Sequence, residues 1–200
     1  MTRKRPVKDV SASVRQRLLD KAHATNRPFN ELLQRYAMER YLSRLGASEH
    51  AERFVLKGAL LFTAWGSSMS RPTKDIDFLA STKNSISAVV EGVSKVCTTA
   101  VEADGLVFDA DSIRAERIAV DADYQGMRVK FRGHLGTARV SMQLDIGFGD
   151  VVVPRVQQVN YPTILDMSPP RIRCYSRESA IAEKFEAMTK LGILNSRMKD

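Results

Sequence analysis

Two runs of apolar–polar alternation, residues 126–133 and 137–146 around His134-Leu135-Gly136, limit the fold of this chain more than any other feature. In a strand, successive side chains point to opposite faces. Val140, Met142, Leu144 and Ile146 therefore share one face, and Ser141, Gln143 and Asp145 the other. The two runs predict a β-hairpin with one buried face. Phe54-Val55-Leu56, residues 75–79 and residues 171–175 after Pro169-Pro170 add shorter strands. Apolar stripes predict helices over 13–24, 28–45 and 85–103, and from the Lys57-Gly58 turn to about Trp65. Asn26-Arg27-Pro28 separates the first two, Gly46 ends the second, and Ser176 caps a last helix that Gly192 closes. Helices flanking strands, with a hairpin between, predict an α+β fold with a mixed β-sheet. Three parts are expected: a basic N-terminal helical segment (1–50), a core (51–175) and the start of a C-terminal helical region (176–200).

With 44% apolar residues among 200, the chain can bury a core. Its longest apolar runs, such as 59–65, are too short to span a bilayer, so no membrane association is expected. No signal-like apolar region follows the basic start, and Cys97 and Cys174 lack metal or redox spacing. A cytoplasmic protein with reduced, structural cysteines is expected. The net charge is +8, and residues 1–50 carry 11 Lys/Arg against 5 Asp/Glu. That excess fits a face for nucleic acid, and equally a solvated basic tail.

Asp75-Ile76-Asp77 begins a predicted strand, so both carboxylates project to one side, about 6–7 Å apart along the chain. Two like charges there repel, and a divalent cation between them turns repulsion into ligation. If the strand carrying Asp145 pairs beside this one, Asp145 joins the same face. Three carboxylates on adjacent strands can hold two metals roughly 3.5–4 Å apart for in-line phosphoryl displacement. Asp145 could alternatively act as the base for an attacking hydroxyl. A bland reading, an edge strand with solvated acids, accounts for the same residues. The loop before Asp75 offers Gly66, Ser67, Ser68, Ser70, Arg71 and Thr73 to phosphates, and Lys57-Gly58 offers a helix N-terminus. On the last helix Lys184 falls between Ile181 and Met188, on the side that Phe185 marks as buried. There it either snorkels outward or serves substrate.

In this order Phe54-Val55-Leu56-Lys57-Gly58, Arg71-Pro72-Thr73-Lys74-Asp75-Ile76-Asp77, Gln143-Leu144-Asp145-Ile146, Ala182-Glu183-Lys184 and Arg197-Met198-Lys199-Asp200 resemble the AbiEii/AbiGii-type nucleotidyltransferase toxins, including the mycobacterial MenT enzymes. These belong to the DNA polymerase beta-like superfamily, and the resemblance spans residues 10–200. It implies a polymerase beta-like nucleotidyltransferase fold and Mg2+-dependent transfer of a nucleoside monophosphate from an NTP. Asp75 and Asp77 would be the metal-binding pair, Asp145 the third carboxylate, and Lys184 and Asp200 further active-site residues. Some members modify the tRNA acceptor end as toxins restrained by a separate antitoxin, often within phage-defence operons. The basic N-terminal helices would then be available to RNA. Two departures stand out: Ala59 replaces the usual glycine after Lys57-Gly58, and the chain stops at Asp200 where relatives continue. Alternatives are an inactive or truncated homologue, a protein acceptor instead of tRNA, or a DNA-binding protein of ribbon-helix-helix type. The last would need a strand and two helices within residues 10–41.

Overall fold

The computed structural model describes residues 9–66, 72–119 and 125–191. Asp9 caps the first helix, α1 (Val10–Thr25), its carboxylate accepting from the Ala12 N–H at 3.0 Å. Helix α1 starts at Val10, where the ribbon-helix-helix alternative needs a strand. Asn26 ends it in the left-handed conformation (φ 50°), which asparagine tolerates, and Pro28 leads into α2 (Phe29–Ala47). The expectation that Gly46 stops this helix fails, because the helix runs on to Ala47. A Cβ on Gly46 would sit 2.7 Å from the Arg171 carbonyl oxygen, so the glycine serves close packing here and not termination.

Strand β1 (Phe54–Lys57) leads to a short helix, α3 (Leu60–Ala64), and β2 (Asp75–Ala80) to α4 (Ile86–Thr98), which Ser85 caps. Helix α4 stops five residues before the expected Ala103. The hydroxyls of Thr98 and Thr99 bond back to its last turn, and the chain then turns to bury Asp104. Three long strands follow: β3 (Leu106–Ala119), β4 (Gln125–Leu135) and β5 (Ala138–Phe148). The first half of β3 breaks its alternation at an irregularity between Asp109 and Arg114, which hid it from the period-two pattern. Strands β6 (Gln157–Asn160) and β7 (Arg171–Cys174) precede α5 (Arg177–Leu191), whose first turn Ser176 caps. The expected close of that helix at Gly192 lies outside the described residues.

The seven strands form one mixed sheet in the order β3-β4-β5-β2-β1-β7-β6. Pairs β2–β5 and β1–β7 are parallel and the rest antiparallel, so the α+β expectation holds. Helix α2 lays Leu32, Leu33, Tyr36, Ala37, Tyr41, Leu42 and Leu45 into the core. Its Tyr41 ring meets Phe78, Phe108 and Phe131 at 6.4, 5.9 and 5.6 Å between centroids. Aromatic contacts across three strands pin the sheet's apolar face to one helix. Cys97 and Cys174 are buried free thiols, as expected. No helix among the described residues is long and apolar enough to cross a membrane.

Buried charge within α2 was not expected. Glu39 is 1% exposed, accepting from the Ile164 N–H at 2.8 Å and from Arg35 Nε at 3.3 Å. Burial nevertheless pushes its carboxyl up to about 7, from an ordinary value of 4.5. The folded protein therefore keeps a proton that the unfolded chain releases first. This group's contribution to stability falls as pH rises between those two values and stays low above them. Glu39→Gln keeps an acceptor for Ile164 without the charge. Urea unfolding should find the variant more stable than wild type by roughly 2–3 kcal/mol at pH 8, with the gap closing towards pH 4. Equal pH dependence in both proteins would mean that Glu39 is not the source.

Candidate metal and phosphoryl-transfer site

Period-two alternation buries Ile76 and Phe78 and leaves Asp75 and Asp77 half-buried on the opposite side of β2. On β5, Leu144 and Ile146 are likewise buried while Gln143 and Asp145 are half-buried. Strands β2 and β5 run parallel in a register that sets Asp77 beside Asp145 and Asp75 beside Gln143. One oxygen from each of Asp75, Asp77 and Asp145 lies within 4.8 Å of the other two. The expectation that neighbouring strands aim these three side chains together is met. Hard carboxylate oxygens at this spacing are the donor set that Mg2+ takes, so the residues fit a divalent cation.

Each carboxylate has structural support. Thr73 Oγ1 donates to Asp75 Oδ1. The Arg128 guanidinium forks onto Asp145, Nε to Oδ1 at 2.9 Å and Nη2 to Oδ2 at 2.7 Å, and Gln143 Nε2 reaches the same Oδ1 at 3.2 Å. Those hydrogen bonds to Asp145 raise the Arg128 pKa above its usual range against partial burial, and the charge of Asp75 adds to the effect. Beneath Asp77, Gly58 holds φ at +70°, and a Cβ there would lie 1.9 Å from Asp77 Oδ2. Only glycine fits so close beneath that carboxylate. Gly58→Ala should cost about 2 kcal/mol or more in urea unfolding, because left-handed strain and overlap with Asp77 act together. A loss below about 0.5 kcal/mol would show that the turn relaxes freely.

The two lysines are placed differently from the sequence expectation. Lys57 is largely buried, its Nζ bonded to Asp150 Oδ2 at 3.1 Å and to Glu183. Burial works against its charge, yet Glu183 and Asp150 together raise its pKa above the ordinary lysine value. Tyr175 Oη donates to the same Asp150 oxygen at 3.1 Å. Lys184, expected on a buried stripe, is exposed, its Nζ 5.3 Å from the centroid of the Phe62 ring. Ile181 and Phe185 are 69% and 66% exposed, so α5 turns Ala180 and Glu183 inward instead. The ion pair of Glu183 with Lys57 and the bonds of Ser179 Oγ to Val153 fix that rotation. Ser67, Ser68, Ser70, Arg71 and Asp200 lie outside the described residues.

A cleft of about 1060 Å³ lies beside Asp75 and Asp145. Thr73 and Gln143, which bond Asp75 and Asp145, line it together with Arg27, Arg35, Lys74, Arg114, Lys130 and Arg132; Glu31 is the lining acid. Met38, Leu60, Phe131, Met142 and Tyr161 give it an apolar floor.

Carboxylates clustered on adjacent strands suit metal-assisted phosphoryl transfer, and comparison with known families agrees with that chemistry. A family model described as nucleotidyl transferase AbiEii toxin, type IV TA system, matches residues 40–200. The chain belongs to that family. Among solved structures it is similar to JHP933 from Helicobacter pylori, with 16% identity and a TM-score of 0.48 over 78% of this chain and 56% of that one. It is also similar to a second H. pylori protein, provisionally assigned as a nucleotidyltransferase, with 18% identity and a TM-score of 0.45 over 76% and 56%. The chain thus spans little more than half the length of these proteins. No curated protein matches it.

Proposed function

We propose that this chain moves a nucleoside monophosphate from an NTP onto an acceptor hydroxyl at the 3′ end of tRNA, acting as the toxin of a toxin–antitoxin pair in phage defence. The observation that carries the proposal is the convergence of Asp75, Asp77 and Asp145 from two paired strands. Those three residues would hold Mg2+, two ions in the fullest form. Bound there, the metal supplies a Lewis acid for the phosphate oxygens and lowers the pKa of a coordinated hydroxyl.

The chain's own groups account for the rest. Thr73 and Gln143 orient Asp75 and Asp145 from the cleft wall, and the cations lining the cleft attract a polyanionic acceptor. The apolar floor gives unpaired acceptor bases a surface to lie on. The acceptor hydroxyl attacks the α-phosphorus, its proton passes to a carboxylate of the trio, and pyrophosphate leaves. Gly58, Ser67, Ser68, Arg71 and Thr73 contribute to phosphate binding, and Lys184 and Asp200 to the active site. Lys57, assigned at first to the same task, would reach phosphate only after giving up Asp150 or Glu183. A cognate antitoxin would restrain the activity in the cytoplasm. Within this proposal residues 1–50 serve the acceptor, 51–175 the chemistry and 176–200 its completion.

The test is Mg2+-dependent labelling of total tRNA with each of the four radiolabelled NTPs, with the antitoxin as an alternative acceptor. Labelled tRNA supports the proposal, and labelled antitoxin alone moves the acceptor to protein. No labelling with any pair favours an inactive homologue.

A further inference from the structure

Asp145 is already paired with a cation. Arg128 comes from β4, where it lies directly across from Asp145 on β5, and both Asp145 oxygens accept from its fork. A guanidinium so placed takes the forward lone pairs of both oxygens, the same ones a metal would use for bidentate ligation. Gln143 occupies a further position on Oδ1. Asp75 lies close enough to act on the Arg128 charge, so the guanidinium sits in the field of more than one member of the trio. Asp75, by contrast, receives a neutral hydroxyl from Thr73.

We propose that Arg128 is a built-in competitor for the metal: it holds Asp145 when no ion is bound, and it must loosen its fork when Asp145 turns to a divalent cation. The inference rests on the reading of Asp75, Asp77 and Asp145 as a metal site. It assigns Arg128 as a positioning residue that sets how tightly that site binds its ion. Two cations drawn to one carboxylate are linked, and linkage is reciprocal: the factor by which the fork weakens the ion's binding is the factor by which the ion weakens the fork. A mobile, always-charged fork released beside the trio is also suited to a nucleotide phosphate, which arrives with the metal. Arg132, four residues along β4 on the same face, makes a useful control. It pairs with Asp109, away from the trio.

The experiment measures Mn2+ binding to the full chain without nucleotide, by electron paramagnetic resonance and isothermal titration, for wild type, Arg128→Gln and Arg132→Gln. Glutamine keeps a neutral donor near Asp145 and removes the charge. Arg128→Gln should bind Mn2+ at least about fivefold tighter, the low end for two coupled binding events, with Arg132→Gln unchanged. Thermal unfolding supplies a second readout that also reports folding. Without metal Arg128→Gln should melt below wild type, since Asp145 and Asp75 lose that counter-charge, and saturating Mn2+ should close the gap. Unchanged or weaker Mn2+ binding in Arg128→Gln, with wild type binding normally, would overturn the proposal and leave Arg128 as a simple support for Asp145. Wild type that binds no Mn2+ would overturn the metal site itself, and the proposal with it.

Discussion

Asp77→Asn should lower Mg2+-dependent nucleotide transfer by about three orders of magnitude while leaving the protein folded. Asparagine has the shape of aspartate and fits above Gly58 as the carboxylate does, so packing at this point is preserved. What is lost is one anionic ligand from a group of three whose oxygens lie within 4.8 Å. A metal acting as Lewis acid is worth several kcal/mol to a phosphoryl-type transition state, and each 1.36 kcal/mol is a factor of ten in rate. Loss of binding can be separated from loss of fold by melting curves with and without Mn2+. At a hundred times its Kd a bound ion adds about 2.7 kcal/mol, which for a chain of this size raises Tm by about 5–10 °C. Wild type should show that rise and Asp77→Asn should not, with the metal-free melting points close together. Transfer within about tenfold of wild type in the variant would place the chemistry away from this trio.

The trio was legible because strand geometry is simple. A residue and its second neighbour share a face, so Asp75 and Asp77 belonged together whatever the tertiary structure, and Asp145 needed only a pairing of its strand with theirs. Arg128 was not legible, and the cause is the turn. With His134-Leu135-Gly136 as the connection, the hairpin register sets Gln125 opposite Asp145. The strands in fact run to a two-residue turn at Gly136-Thr137, with Leu135 paired to Ala138 and φ of +58° at Gly136. That shift brings Arg128 across from Asp145. Counting from glycine in its hairpin role would have found it.

The last helix forms where expected, but its inward face was not legible for another reason. Its apolar residues are too few to decide which side faces inward, and polar contacts decide instead: Lys57 draws Glu183 down and Val153 engages Ser179. Lys184 is carried outward by that rotation. Lys57 looked like a phosphate ligand because position alone suggested it, and its acidic partners come from residues 93 and 126 positions away in sequence. Long-range pairing of that kind leaves no local signal. The same holds for the charges inside α2, where Glu39, Arg40 and Arg44 are all buried.

Arg44 gives the largest expected effect on stability. Its guanidinium bonds Asp104 through Nη1 to Oδ2 at 2.6 Å and through Nη2 to Oδ1 at 3.1 Å. It also donates to the Leu106 carbonyl at 2.8 Å and lies 5.0 Å from the Phe108 ring centroid. Both partners are nearly sealed, with side chains 8% and 3% exposed. Arg44→Met fills much of the same space with an apolar chain and leaves Asp104 charged, buried and without its counter-ion, which should cost about 3–5 kcal/mol in urea unfolding. Replacing Asp104 as well removes most of that penalty, because the cost belongs to the orphaned charge more than to the lost bond. Arg44→Met/Asp104→Asn should therefore be more stable than Arg44→Met alone, the asparagine still accepting from the Leu106 N–H that Asp104 Oδ1 now holds at 3.0 Å. This pair ties α2 to the first residues of β3, two strands beyond β5 in the sheet, while the carboxylate trio sits on β2 and β5. A double variant with restored stability should accordingly bind Mn2+ as wild type does. Additive losses in the two single variants would mean that Arg44 and Asp104 stabilise the fold separately.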